Sequence, residues 1–131
     1  MFTLGLWLVQ STATAHETNN GVSRQLLFNQ PLSNVPDHNF TAITVQLDPG
    51  NISPAHTHEA FVFVHVLTGK VRSQLNSAKP IDYVTGDSWI EPPGSVHTLT
   101  QNLNDKEIAK LLVIFVSKDG SKLTTSGTIS Q

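Results

Sequence analysis

The chain has no cysteine among its 131 residues. Disulfides, thiolate metal sites and thiol nucleophiles are therefore excluded. Charge is scarce as well. Charged residues make up 14%, the net charge is -2, and the eight Lys and Arg are scattered along the chain. That distribution gives no electrostatic footprint for nucleic acid, and the low charge content excludes a coiled coil. No helix-turn-helix pattern, internal repeat or apolar run long enough for a membrane-spanning helix is evident. A hydrophobic fraction of 38% is too high for a disordered chain. The length fits one domain with one core.

Targeting information is confined to the N-terminus. Phe2–Val9 is a short apolar run, and Ala13-Thr14-Ala15 precedes His16-Glu17 as an A-x-A site. The pair resembles the h-region and cleavage site of a secretory signal peptide. A basic n-region is missing, since the first basic residue is Arg24. The expectation is a signal peptide over residues 1–15 and a periplasmic or secreted protein. The alternative is an N-terminal strand in a cytoplasmic one. Residues 16–21 read as a linker, 22–118 as the folded domain and 119–131 as a polar C-terminal tail.

Within the domain, short β-type runs are separated by turn residues, as in a sandwich or barrel. The runs are Ser23–Phe28, Phe40–Leu47, Phe61–Leu67, Val71–Leu75, Ile81–Thr85, Trp89–Ile90, Val96–Thr100 and Ile108–Val116. Phe40–Leu47 alternates cleanly, with Ile43, Val45 and Leu47 on one face and Ala42, Thr44 and Gln46 on the other. Lys106–Leu112 has some helical spacing, but LLVIFV is strongly β-prone and decides for a strand. The prediction is an all-β chain whose edges are protected by closure.

Six histidines are present, at 16, 38, 56, 58, 65 and 97. His56 and His58 are spaced i, i+2, which places two extended-chain side chains on one face. That spacing suits two adjacent ligands on one metal, although H-x-H also occurs on solvent faces. The setting adds weight. Gly50 and Pro54 precede the pair and Gly69 follows it; Gly86, Pro92, Gly94 and His97 then repeat a turn-strand-turn-histidine pattern.

These two segments resemble the two motifs of the cupin superfamily. Gly50, His56, His58 and Gly69 match the first. Gly86, Pro92, Gly94 and His97 match the second, with Asn102 near its closing asparagine. The resemblance is to a small single-domain cupin. It implies a jelly-roll β-barrel (a double-stranded β-helix) over residues 22–118, a metal held by His56, His58 and His97, and a homodimer. Two positions depart from the pattern. Val62 stands where the first motif usually carries Glu. Gln101 stands where the second usually carries Asn.

Three imidazoles alone leave a divalent ion its full 2+ charge, so the expectation is a strong Lewis acid with open positions. A chelating enolate or 2-hydroxy carbonyl suits such an ion. Iron is the first choice of metal, with zinc, nickel, manganese or copper as alternatives, because imidazole suits several of them. The expected function is dioxygenase-like oxidative cleavage of a small diketone, phenolic or related enolisable molecule. The alternatives are a non-redox isomerase or cyclase and a non-catalytic metal or small-molecule binding protein.

Other residues receive narrower readings. Glu91 is the candidate catalytic group, either orienting a ligand histidine or accepting a proton; a solvent-exposed turn acid is the plain alternative. Val62 and Val64 share the His58 face and are expected to line the cavity, with Phe61 and Trp89 as candidate walls. His65 has odd spacing from His58 and should point away, to packing or an interface. Glu59 is expected at the mouth. Arg72 and Gln74 share a face that is either solvated or a polar anchor. His16 and His38 read as loop residues.

Overall fold

A computed structural model describes residues 16–126, with side chains described from Asn20 onward. The signal-peptide reading of residues 1–15 lies outside the described residues. Twelve strands and no helix are present among them. They run β1 (His16–Asn19), β2 (Val22–Pro31), β3 (His38–Leu47), β4 (Ile52–Ser53), β5 (His56–Thr57), β6 (Phe61–Thr68), β7 (Lys70–Leu75), β8 (Ile81–Val84), β9 (Ser88–Glu91), β10 (Val96–Asn102), β11 (Ala109–Lys118) and β12 (Thr125–Ser126).

The strands form two antiparallel sheets, ordered β1-β2-β3-β11-β6-β9 and β12-β5-β10-β7-β8, with β4 also paired to β10. This is the two-sheet jelly roll expected from the sequence. Alternation explains the layers. On β6, Val62, Val64 and Val66 are buried while Phe61 and Leu67 are exposed. On β11, Ala109, Leu111, Val113 and Phe115 are buried and pack with Val22, Leu47 and Val71 into one core. The facing sheets thereby remove these valines, Leu47, Leu111, Trp89 and Phe115 from water, which drives the closure.

Several turns depend on left-handed backbone. Gly69 sits between β6 and β7 at φ 96°, and a Cβ there would meet the Ala109 Cβ at 3.1 Å. Glycine alone meets both conditions cheaply.

Three local expectations change. Residues 16–21, read as a linker, form β1 and the tight Asn20-Gly21 turn into β2, with Asn19 opposite Val22. Polar composition masked a strand whose backbone pairing needs no apolar side chains. For the same reason His16 and His38 lie in strands rather than loops; the His38 ring is bonded to the Pro36 carbonyl at 2.8 Å. The segment after β11 returns to the barrel. Asp119 N–H donates to the Asp37 carbonyl, and β12 pairs with β5.

The asparagine shift has a physical account. Pairing of β10 with β7 slips between His97 and Leu99, so Thr98 is a bulge. The extra residue moves Asn102, not Gln101, to the inward position. Asn102 is 1% exposed. Its Nδ2 donates to the carbonyls of Leu47, Asp48 and Glu107 at 3.2, 3.1 and 2.8 Å, and its Oδ1 accepts from Asn104 N–H at 3.0 Å. One side chain thus ties the end of β3 to the end of β10.

Candidate metal centre

His56 and His97 are directly opposed on β5 and β10. His58 follows β5 in the turn toward β6. The three rings converge: centroids are 4.8 Å apart for His56 and His58 and 4.9 Å for His56 and His97. One ligand nitrogen from each of His56, His58 and His97 falls within 4.8 Å of the others. This is the three-histidine group read from the two motifs, and its members can share one metal.

Each ring is held by neighbours. His56 Nδ1 lies 2.9 Å from the Pro54 carbonyl, and His58 Nδ1 lies 2.5 Å from the Leu123 carbonyl. A carbonyl only accepts, so both Nδ1 atoms carry the proton and each neutral ring keeps its Nε2 lone pair. His97 Nε2 is bonded to the hydroxyls of Ser73 and Thr100 at 2.8 and 2.9 Å. Such partners fix ring orientation before any ion arrives.

Burial keeps the rings uncharged. Desolvation, aided by the neighbouring histidines, lowers His97 to about 3; for His58 it prevails over the raising effect of the Leu123 carbonyl and brings the ring to about 4. Desolvation also lowers His56, with the Pro54 carbonyl opposing. Neutral imidazole is the metal-binding form, so the cluster is ready for an ion at neutral pH.

Glu91, the candidate catalytic group of the sequence reading, lies beside the three rings. It stands on β9 directly opposite Val62 of β6 and is 1% exposed. The Trp89 indole donates to its Oε1 at 3.0 Å. The same Oε1 lies 3.2 Å from His97 Nδ1, and Oε2 lies 3.6 Å from His58 Nε2. Burial raises the carboxyl to about 7, against the lowering effect of the Trp89 bond. Oε2 has no hydrogen-bond partner. An orphaned buried carboxylate oxygen beside neutral imidazoles is what a cation site looks like without its cation, so the residues present fit a divalent metal.

The cluster opens on a cavity of about 60 Å³ with mostly apolar walls, including Val62, Val64, Trp89, Val113 and Phe115. Phe61, expected among these walls, is exposed on the outer face. It and Val62 are consecutive in a regular strand, so they cannot both face inward. An outer vestibule of about 290 Å³ adjoins it, sharing Val22, Arg24, Ser53, His56 and Thr124 with the inner cavity.

The remaining expectations resolve as follows. His65 lies on the outer face of β6, its Nδ1 2.7 Å from Ser88 Oγ. Glu59, expected at the mouth, lines neither cavity; its carboxylate accepts from Lys122 N–H and its own N–H donates to the Lys122 carbonyl. Arg72 makes a two-point pair with Asp82, at 2.6 and 3.0 Å, on the outside of β7. Gln74 Nε2 donates to the Ala78 carbonyl.

Arg24, Ser73, Thr100, Leu123 and Thr124 were not singled out from the sequence. Arg24 lines both cavities and its charge lowers His56 and His58. Ser73 and Thr100 are opposed on β7 and β10, an inward polar pair that shows only once the register is known.

Comparison with known proteins agrees with this architecture. The family described as "Cupin domain" matches residues 43–115. Among solved structures, the oxalate decarboxylase of Bacillus subtilis is 23% identical with a TM-score of 0.69; the match covers 86% of this chain and 30% of that one. An RmlC-like cupin from Shewanella frigidimarina is 19% identical, TM-score 0.63, over 82% of this chain and 86% of that one. The cupin domain of Schizosaccharomyces pombe Cnp3 is 20% identical, TM-score 0.62, covering 75% and 61%. The match thus spans only about a third of the decarboxylase length. No curated protein matches.

Proposed function

The chain belongs to the cupin family, and from that premise we propose that it is a metal-dependent enzyme acting on a compact, metal-chelating small molecule by dioxygenase-like cleavage. The observation that carries the reading is the convergence of His56, His58 and His97 on one point at the floor of an apolar cavity. A bound divalent ion supplies Lewis acidity and, if it is iron, chemistry with dioxygen.

The protein's own part is positioning. Pro54, Leu123, Ser73 and Thr100 hold the rings. Valine and phenylalanine walls keep the cavity dry, which strengthens electrostatic contacts inside it. Arg24 lines both cavities and so stands on the route to the histidines. The inner cavity of about 60 Å³ admits a small chelating head group, and the vestibule receives the rest.

A second reading is non-redox isomerisation or cyclisation with Glu91 as proton acceptor. It is favoured by the burial that raises this carboxyl to about 7. A homodimer completes the proposal. The outer face of the first sheet presents Phe61, Leu67 and Ile90, all exposed, as an apolar surface for a second copy.

Metal analysis of chelator-free protein is the first test, with about one ion per chain expected. Oxygen uptake with iron-loaded protein and a panel of diketones and phenolics is the second. Turnover without oxygen selects the non-redox reading. Failure to retain or take up any metal refutes both.

A further inference from the structure

We propose that Glu91 is itself a metal ligand, supplying from β9 the carboxylate that the cupin pattern places on β6 at the position of Val62. This assignment rests on the three-histidine reading above and adds a fourth donor to it.

Register provides the first ground. Val62 and Glu91 are directly opposed on antiparallel strands. Opposed residues share a sheet face, with Cβ atoms about 4.5–5.5 Å apart. A carboxylate rooted on either strand therefore enters the same cup. Val62 is fully buried on that face, and its short side chain leaves room for the longer one opposite.

Orientation provides the second. Glu91 reaches the histidines rather than solvent, with Oε1 3.2 Å from His97 Nδ1 and Oε2 3.6 Å from His58 Nε2. His58 Nδ1 is committed to the Leu123 carbonyl, so its Nε2 lone pair faces a carboxylate lone pair. At 3.6 Å the two acceptors are too far apart for a shared proton to form a hydrogen bond, and an ion between them would satisfy both. Donors bound to one ion at about 2.0–2.2 Å sit roughly 3–3.6 Å apart, which matches both separations.

The unpartnered oxygen provides the third. Oε2 has no hydrogen-bond partner although it is buried. Trp89 occupies Oε1 and holds the carboxylate plane, which makes Trp89 a positioning residue. With Glu91 bound, a divalent ion retains a net charge of 1+ rather than 2+. The loss of glutamate at Val62 is then a relocation, and the strongly electrophilic ion expected from the sequence does not arise.

The test uses the whole chain loaded with Co(II), followed by visible absorption and by titration of affinity. Wild-type protein should bind one ion with defined ligand-field bands. Glu91→Gln should shift those bands and weaken binding by about 100-fold or more, beyond the 10–100-fold typical of losing an outer-shell partner. The exchanged variant Val62→Glu/Glu91→Val should recover the wild-type bands and most of the affinity. Superimposable bands for Glu91→Gln and wild type at saturating Co(II) would overturn the assignment while leaving the three-histidine site standing. If Glu91→Gln does not fold, the exchanged variant decides: folded protein that lacks the wild-type bands overturns it too. Absence of Co(II) binding by wild type refutes the three-histidine site and the fourth donor together.

Discussion

Replacing Asn102 by Ala should cost about 3 kcal/mol of folding stability. The side chain makes one buried bond, to the Leu47 carbonyl, and three partly buried ones, to Asp48, Glu107 and Asn104. Each contributes about 0.5–1.5 kcal/mol net, and a buried carbonyl left unpaired costs about 1–3 kcal/mol. Water can replace the partly buried bonds after truncation, which keeps the total near 3 rather than 6. For a domain of this size that is a fall in Tm of about 10 °C. Urea denaturation followed by tryptophan fluorescence measures it. Asn102→Asp serves as the sharper control. Its carboxylate faces three carbonyls, so it should be worse than Ala at pH 7 and improve as pH falls and the acid regains a donor hydrogen. Gln101→Ala should change stability by no more than about 0.5 kcal/mol. A cost below 1 kcal/mol for Asn102→Ala, or a larger one for Gln101→Ala, would refute the account in which the Thr98 bulge hands the buried position to Asn102.

Other expected outcomes follow from the site and its frame. Without metal, stability should rise with pH between about 4.5 and 6.5. His58 and His97, lowered to about 4 and about 3, lose their contribution as pH falls from their unfolded value of 6.5, whereas Glu91, raised to about 7, loses its own as pH rises from 4.5. Two histidines outweigh one carboxyl, so the urea midpoint should climb and then level off near 6.5; a flat profile would contradict the burial of these groups. Gly69→Ala should cost about 1–3 kcal/mol for its left-handed backbone and its approach to Ala109, read from the same denaturation curves. Glu59→Ala should speed hydrogen exchange across residues 121–126 while leaving β11 unchanged, because Glu59 holds the Lys122 amide. Equal exchange in the two proteins would mean that β12 and the backbone carbonyls of Lys122 and Leu123 hold this segment without the Glu59 carboxylate.

The sequence carried the jelly roll because its signals are local. Alternation in Phe40–Leu47 and the turn glycines specify strands and their faces without knowledge of partners. The same logic gave the histidines, since each motif fixes one side of the site. What escaped depends on register between strands distant in sequence. Glu91 was legible as an acid before two prolines, but its placement opposite Val62 comes from the β6–β9 pairing. Leu123 was hidden because its backbone carbonyl, not its side chain, holds His58. Arg24 was hidden because β2 places it in the lining of both cavities, a fact of topology rather than pattern. Phe61 alternates with inward-facing Val62, so strand parity sends it to the outer face whatever its aromatic character.

The opposition of Val62 and Glu91 also bears on how such sites diverge. Two positions 29 residues apart in the chain address one point in space, so selection on the site acts on the pair rather than on either residue. Among homologues the two columns should therefore covary, acidic at one where the other is small and apolar. Carboxylates at both would crowd like charges into one buried cup. An ancestral chain could pass between the two arrangements in a few substitutions, and its descendants would look unlike in their motifs while holding the same ion in the same way.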